Sequence, residues 1–304
     1  MTNFQVHILG SNSAISDHGR HPTAQVIQLS NFYFLMDCGE GTQQRMLQYK
    51  IKWFRIDHIF ISHLHGDHYY GLIGLLTTYN LLKRTQPLTI FAPPLLKDII
   101  DLQLKASATR LNYLLNFVET KDVGLHLLLE NEYLEVFSFP LEHKIPTTGF
   151  LFRQKEGERK LIIEKVEGLD IEKSEYKLLK QGKDIIDRKG KVIKAIDVTE
   201  PGHPPKSYAF CSDTVYTESI LEYIQNVDLL YHEATYLHEV LNRALETKHS
   251  TALQAAQMAQ KANVQKLLLG HFSSRYLHLH ILLQEAKTVF VNTELALEGE
   301  VFSV

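Results

Sequence analysis

The chain has 304 residues, 44% hydrophobic and 22% charged, with a formal net charge of −3. That balance is ordinary for a globular protein and excludes a global electrostatic pull toward nucleic acid, so any polyanion binding must come from a local patch or from bound metal. Two cysteines far apart in the chain, Cys38 and Cys211, exclude a disulfide framework, and no apolar run is long enough to span a bilayer. The N-terminus enters directly into a strand-like alternation without the basic start and apolar stretch of a signal peptide, which predicts a cytoplasmic protein.

In chain order, apolar strands are predicted near residues 4–9, 24–29, 32–36 and 56–61, with a helix near 41–49. The fourth strand runs into Ile61-Ser62-His63-Leu64-His65-Gly66-Asp67-His68. Imidazole and carboxylate are ligands of a borderline metal such as zinc. At a strand end, His63 and His65 point the same way. Gly66 lets the backbone bend, so Asp67 and His68 swing toward a second position nearby. Four ligands this close suit two metals better than one. The same His-Leu-His string recurs at His278 and His280, but beside a helical pattern, where residues two apart diverge by about 200°. Those two are read as solvated or capping residues.

Helices near 69–82 and 95–104 flank a strand near 88–91, and a strand near 134–139 leads into Phe139-Pro140-Leu141-Glu142-His143. Residues 153–194 differ from the rest: thirteen Lys and Arg against nine Asp and Glu give a net charge of +4, with a short helical piece around Tyr176 to Lys180. Composition alone reads this stretch as a solvated hairpin inserted into the domain. The second half repeats the alternation, with strands near 207–211, 228–231 and 266–270 and helices near 216–225, 251–262 and 279–289. Strand and helix alternate throughout, the pattern of an α/β architecture. Two further strands also end in ligand residues: Asp213 follows Tyr208-Ala209-Phe210-Cys211-Ser212, and His271 follows Leu267-Leu268-Leu269-Gly270. In an α/β sandwich such ends gather at one edge of the sheets.

This ordered set is similar to that of the metallo-β-lactamase superfamily, and within it the chain resembles the ribonuclease Z family, endonucleases that trim the 3′ trailer from precursor tRNA. The narrower resemblance rests on Asp37-Cys38-Gly39-Glu40-Gly41-Thr42-Gln43, His232-Glu233-Ala234-Thr235, His249-Ser250-Thr251, His271-Phe272-Ser273-Ser274-Arg275-Tyr276 and Val289-Phe290-Val291-Asn292-Thr293-Glu294-Leu295-Ala296. It implies a four-layer αβ/βα sandwich formed by residues 1–304 as one domain. It also implies two zinc ions, with manganese or iron open to the same ligands: His63, His65 and His143 on one, Asp67, His68 and His271 on the other, and Asp213 bridging. Asp67 would orient or deprotonate the attacking water, and His249, oriented by Glu233, would protonate the leaving oxygen. The alternative reading of Glu233 and His249 is a structural hydrogen-bonded pair, and the functional one is preferred. Asp37 and Glu40 could buttress the metal-binding histidines, while His232 and Thr235 read as scaffold and Arg275 as a phosphate contact or a surface ion pair.

The resemblance also implies that residues 153–194 form an arm that clamps tRNA, reaching across a homodimer to the partner's substrate. Where the family often has Arg-Asn near the N-terminus, this chain has Arg20-His21-Pro22. The competing enzyme readings are a cyclic-nucleotide phosphodiesterase, a lactonase or a thioester hydrolase on the same fold. A catalytically silent scaffold is the reading from another class, and it conflicts with a complete ligand set.

Overall fold

The computed structural model describes residues 3–304. Two seven-stranded sheets dominate it. The first runs Val301–Ser303, Phe4–Gly10, Ala24–Leu29, Phe32–Met36, Ile56–Phe60, Leu88–Ala92 and Leu115–Glu119 in spatial order. The second runs Thr293–Leu295, Lys266–Gly270, Leu229–Glu233, Ser207–Cys211, Thr147–Gln154, Leu134–Leu141 and His126–Glu130.

The inner strands of both sheets are buried on two faces, which explains why several of them are apolar at nearly every position. In Tyr208-Ala209-Phe210-Cys211, Ala209 and Cys211 join the core formed with the helices of the second half, including Ala252–Lys261 and His280–Lys287. Tyr208 and Phe210 face the other way, as the two-residue period of a strand requires. The first sheet does likewise: Leu35, Ile59 and Ile90 pack against the helices Thr42–Gln48, Leu72–Leu81 and Leu96–Ala106. Between the sheets lies an aromatic layer, with ring centroids of Phe152 5.6 Å from Phe34 and 5.3 Å from Phe60. A buried polar link beside it is Tyr208 Oη donating to Gln25 Oε1 at 2.5 Å. Helix, sheet, sheet, helix is the sandwich that the sequence predicts.

One strand escapes a sequence reading although it is almost wholly buried, Thr147–Gln154. Gly149 interrupts its apolar pattern. A Cβ there would come within 2.4 Å of the Phe139 ring and 3.0 Å of the Phe210 carbonyl oxygen, so the glycine marks a close approach, not a turn. The helix expected over 216–225 is a 3₁₀ turn, Glu218–Ile220, followed by one α turn, Leu221–Ile224. His278 precedes the helix His280–Lys287 instead of lying in it, and both histidines are exposed.

The chain divides into two compact units. One comprises Glu130–Glu135 and Arg153–Lys206 and has its own core of Val166, Leu179, Ile185, Ile193, Ala195 and Val198. Its helix Glu175–Lys180 starts after Ser174 and ends before Gly182, whose φ is +77°. The unit extends past residue 194 because Thr199–Glu200 pairs with Lys160–Leu161. The other unit holds both large sheets.

Candidate metal centre

The strands Phe32–Met36, Ile56–Phe60 and Leu88–Ala92 are parallel, as are Ser207–Cys211, Leu229–Glu233 and Lys266–Gly270. Their C-terminal ends deliver Asp37, Ser62 with His63, Asp213, Glu233 and His271. Three of these leave the strand through a left-handed backbone, with φ of 53° at Asp37, 38° at Asp213 and 56° at His271. Non-glycine residues rarely adopt that region, and where they do the strain is held by surrounding structure at functional sites.

The fold brings all seven expected ligands together. On one side His63 Nε2 lies 3.0 Å from His65 Nδ1, which lies 3.2 Å from His143 Nε2. Asp213 Oδ2 is 3.5 Å from His63 Nε2 and 3.7 Å from His143 Nε2. On the other side Asp213 Oδ1 is 3.2 Å from His68 Nε2 and 3.1 Å from His271 Nε2, and Asp67 Oδ2 is 3.5 Å from both. The two oxygens of one carboxylate thus face two separate groups of donors.

The spacing fits metal ligands. Two atoms bound tetrahedrally at about 2.0–2.1 Å to one ion lie roughly 3.3 Å apart. Nε2 of His68 and of His271 are buried and have no hydrogen bond of good geometry among the described residues, which is costly for a polar atom unless something else satisfies it. His63-His65-His143-Asp213 and Asp67-His68-His271 are each close enough to hold an ion.

The outward ring nitrogens are held in turn, and this fixes which nitrogen faces the centre. His68 Nδ1 meets Asp37 Oδ2 at 2.7 Å, while Ser62 donates its N–H and hydroxyl to the same carboxylate at 2.8 and 2.9 Å. His143 Nδ1 donates to the Lys248 carbonyl at 2.8 Å, and His271 Nδ1 to Thr235 Oγ1 at 3.0 Å. Ala14 N–H donates to Asp67 Oδ2 at 2.7 Å. Asp37 therefore stands where a buttressing carboxylate is expected, whereas Glu40 is exposed on the cleft wall.

Glu233 is fully buried and accepts from Thr214 N–H at 2.8 Å, Thr235 Oγ1 at 2.6 Å and His249 Nδ1 at 2.8 Å. Burial by itself would lower the His249 pKa, but the charge and hydrogen bond of Glu233, with Asp213, carry it up to about 9. His249 remains at the cleft surface, with its ring centroid 5.1 Å from that of His143 and 5.3 Å from that of His271. Thr235, which the sequence marks only as scaffold, is the hydroxyl joining Glu233 to His271. Its signal was its place two residues after Glu233, which says nothing about His271, 36 residues further on. His232 is scaffold, buried with Nδ1 on the Glu233 carbonyl.

A cleft of 610 Å³ opens over the donors, lined by residues that include Ala14, Pro22, Tyr70, Lys144, Tyr236 and Ser273. Arg275 stacks its guanidinium 5.3 Å over the Tyr236 ring. Arg20 is turned inward, onto Asn12 Oδ1 at 3.0 Å and the Tyr276 carbonyl at 2.7 Å, and His21 is paired with Glu298.

Comparison with known proteins finds relatives across the full length. The chain is 42% identical over 299 residues to ribonuclease Z of Bacteroides fragilis (strain YCH46), covering 98% of each chain. It is 44% identical over 302 residues to ribonuclease Z of Cytophaga hutchinsonii, covering 99% of this chain and 96% of the relative. The solved structure of human tRNase Z, short form, superposes with a TM-score of 0.70 at 26% identity over 99% of both chains. The family model described as anti-Pycsar protein Apyc1 matches residues 4–155, a span that holds His63 to His68 and His143 but stops before Asp213, Glu233, His249 and His271. No helix among the described residues is long and apolar enough to cross a membrane.

Proposed function

The chain belongs to the ribonuclease Z family and, over residues 4–155, to the family described as anti-Pycsar protein Apyc1, and we propose that it removes the 3′ trailer from precursor tRNA. The tRNA would keep a 3′-hydroxyl. The observation that carries this reading is a complete donor set joined to an acid-base pair at one cleft: seven ligand side chains beside His249 and Glu233. Full-length relatives named ribonuclease Z support the substrate.

His63, His65, His143 and Asp213 Oδ2 would hold one zinc ion, and Asp67, His68, His271 and Asp213 Oδ1 a second. Five imidazoles and two carboxylates suit zinc, and manganese or iron would accept the same donors. Bound there, such a pair supplies Lewis acidity that activates a water and offsets charge building on the phosphate oxygens. The chain's own groups do the rest. Asp67, fixed by Ala14 N–H, orients the attacking water and can accept its proton. His249 is held in one orientation by Glu233 through Nδ1, so its other ring nitrogen is the one available to the leaving ribose oxygen. That oxygen leaves poorly without a proton, and Glu233 keeps His249 charged to supply it. Glu233 thereby acts through His249, as a positioning residue.

The resemblance to the family further supports a cytoplasmic homodimer in which the 153–194 arm of one subunit grips the tRNA at its partner's cleft. The arm's basic excess would supply part of that attraction through released counterions.

The deciding experiment incubates the protein with a precursor tRNA carrying a 3′ trailer and maps both new ends, with metal content measured on the same preparation. Cleavage that leaves a 3′-hydroxyl, with two ions per chain, is the expected result. Hydrolysis of a cyclic nucleotide or a lactone with the precursor left intact would overturn the RNA reading, and one ion or fewer with no gain on adding zinc would overturn the two-ion assignment.

A further inference from the structure

Tyr70 stands beside the donor cluster and nothing above uses it. It follows the turn Gly66–Tyr69, lines the cleft and is 64% exposed. The other tyrosine of the cleft wall, Tyr236, is 8% exposed and lies under Arg275. Tyr70 is thus the open aromatic surface of this site among the described residues.

Its position is nevertheless tightly determined. The ring lies against the backbone of Gly66, where an added Cβ would meet Tyr70 Cε2 at 2.2 Å and Cζ at 2.4 Å. The Tyr69 ring meets it edge-on, with centroids 5.0 Å apart. Tyr70 N–H donates to the Gly66 carbonyl and Gly71 N–H to the Cys38 carbonyl, each at 2.9 Å. A Cβ at Gly71 would sit 2.2 Å from the Gly39 carbonyl oxygen, so the chain on that side is pressed onto the Asp37 turn. An exposed ring whose backbone is pinned on both sides loses little freedom when a ligand covers it, and such preorganisation favours binding.

We propose that Tyr70 is a stacking platform for the nucleobase next to the scissile phosphate. The proposal deepens the RNA-processing reading and rests on it. Its neighbours in sequence, His65 and Asp67, are donors of the centre, so a phosphate held there brings an adjoining base onto the ring. Every base has a π-face, and stacking on an aromatic side chain needs no particular base edge. The partner is therefore a nucleobase as a class, with no preference for one base built in by hydrogen bonds.

The test uses the metal-loaded full-length protein and compares wild type, Tyr70→Phe and Tyr70→Ala on a precursor tRNA. The same three proteins are run on precursors made abasic at each nucleotide flanking the cut. Tyr70→Ala should lower kcat/KM by about 5- to 150-fold, the range expected for one stacked base. Tyr70→Phe, which keeps the ring, should stay within about threefold of wild type. On one of the abasic precursors Tyr70→Ala and wild type should become equal. Metal content and thermal midpoint, unchanged in Tyr70→Ala, exclude a folding effect. Equal rates for Tyr70→Ala and wild type on the natural precursor would overturn the platform while leaving the RNA reading intact, as would a loss of the same size on both abasic precursors. A wild type that cuts no precursor would remove the reading and the platform together.

Discussion

The outer nitrogens of the histidines facing the centre lean on several kinds of group: Asp37 behind His68, a backbone carbonyl behind His143, and the hydroxyls of Ser62 and Thr235 behind His63 and His271. The hydroxyl of Thr235 has the least redundancy, since it also donates to Glu233 at 2.6 Å. Thr235→Val keeps the volume but leaves His271 Nδ1 and Glu233 Oε2 short of a partner. Metal affinity, measured by competition with a chelator, should fall about 10–100-fold, and Thr235→Ser should recover most of it. His249→Ala should slow precursor-tRNA cleavage by about 10²–10⁴ yet spare an activated aryl phosphodiester, whose leaving group needs no proton. Equal losses on the two substrates would make the Glu233–His249 pair structural. The cysteines are packed thiols: burial pushes Cys38 up to about 12 and raises Cys211 further. The thiolate is the reactive form, so alkylation of native protein at neutral pH should leave both unmodified and proceed only after denaturant is added.

Elements matter here through where they stop. The helix Ala252–Lys261 begins two residues after Ser250, close behind His249, and Thr251 closes it with a capping box in which its side chain accepts from Gln254 N–H and the Gln254 side chain accepts from Thr251 N–H. Thr251 N–H and Gln254 N–H are among the donors a helix start leaves unsatisfied. Thr251→Ala should destabilise the protein by about 0.5–2 kcal/mol in denaturant unfolding, and Thr251→Ser by less. A null effect would mean that the helix start is held by its packing alone. Strand ends do the corresponding work for the ligands. The left-handed turns at Asp37, Asp213 and His271 take the chain out of its sheet within one or two residues of each strand end, which keeps these side chains at the edge and the apolar strands below them.

At the scale of the whole molecule, the basic stretch can be separated from the donor cluster. No ligand lies within 153–194, and Gln154 N–H donates to the Lys206 carbonyl at 2.8 Å, so the chain returns to its starting point. Replacing residues 156–204 with a short Gly-Ser turn should leave the large unit folded and metal-bound, with small-phosphodiester turnover within a few-fold of the parent. Precursor-tRNA processing should fall steeply, because remote contacts position the reacting phosphate, and the residual RNA binding should show a shallower salt dependence. Processing that survives intact would return the stretch to an ordinary charged hairpin.

The amino-acid order by itself marked the candidate donors. His63, His65, Asp67 and His68 are legible because a strand alternates its side chains and a glycine then turns it, and both effects act within six residues. Asp213 and His271 follow the apolar runs Tyr208-Ala209-Phe210-Cys211 and Leu267-Leu268-Leu269, a local signal of burial on both faces, while His143 follows the more mixed strand Leu134–Leu141. Only the tertiary structure decided what lies behind and around them. Whether Asp37 or Glu40 backs a histidine, and that Thr235 bridges Glu233 to His271, depend on strands paired across long stretches of chain. Thr147–Gln154 was hidden because the space denied to a Gly149 side chain belongs to Phe139 and to the Phe210 backbone. The edge strands Leu115–Glu119 and His126–Glu130 are half-exposed and show no alternation to read. The open ring of Tyr70 beside the covered ring of Tyr236 is likewise a property of the closed fold. Direction and burial along one segment are local consequences of backbone geometry, whereas which surfaces meet is known only once the chain has closed on itself.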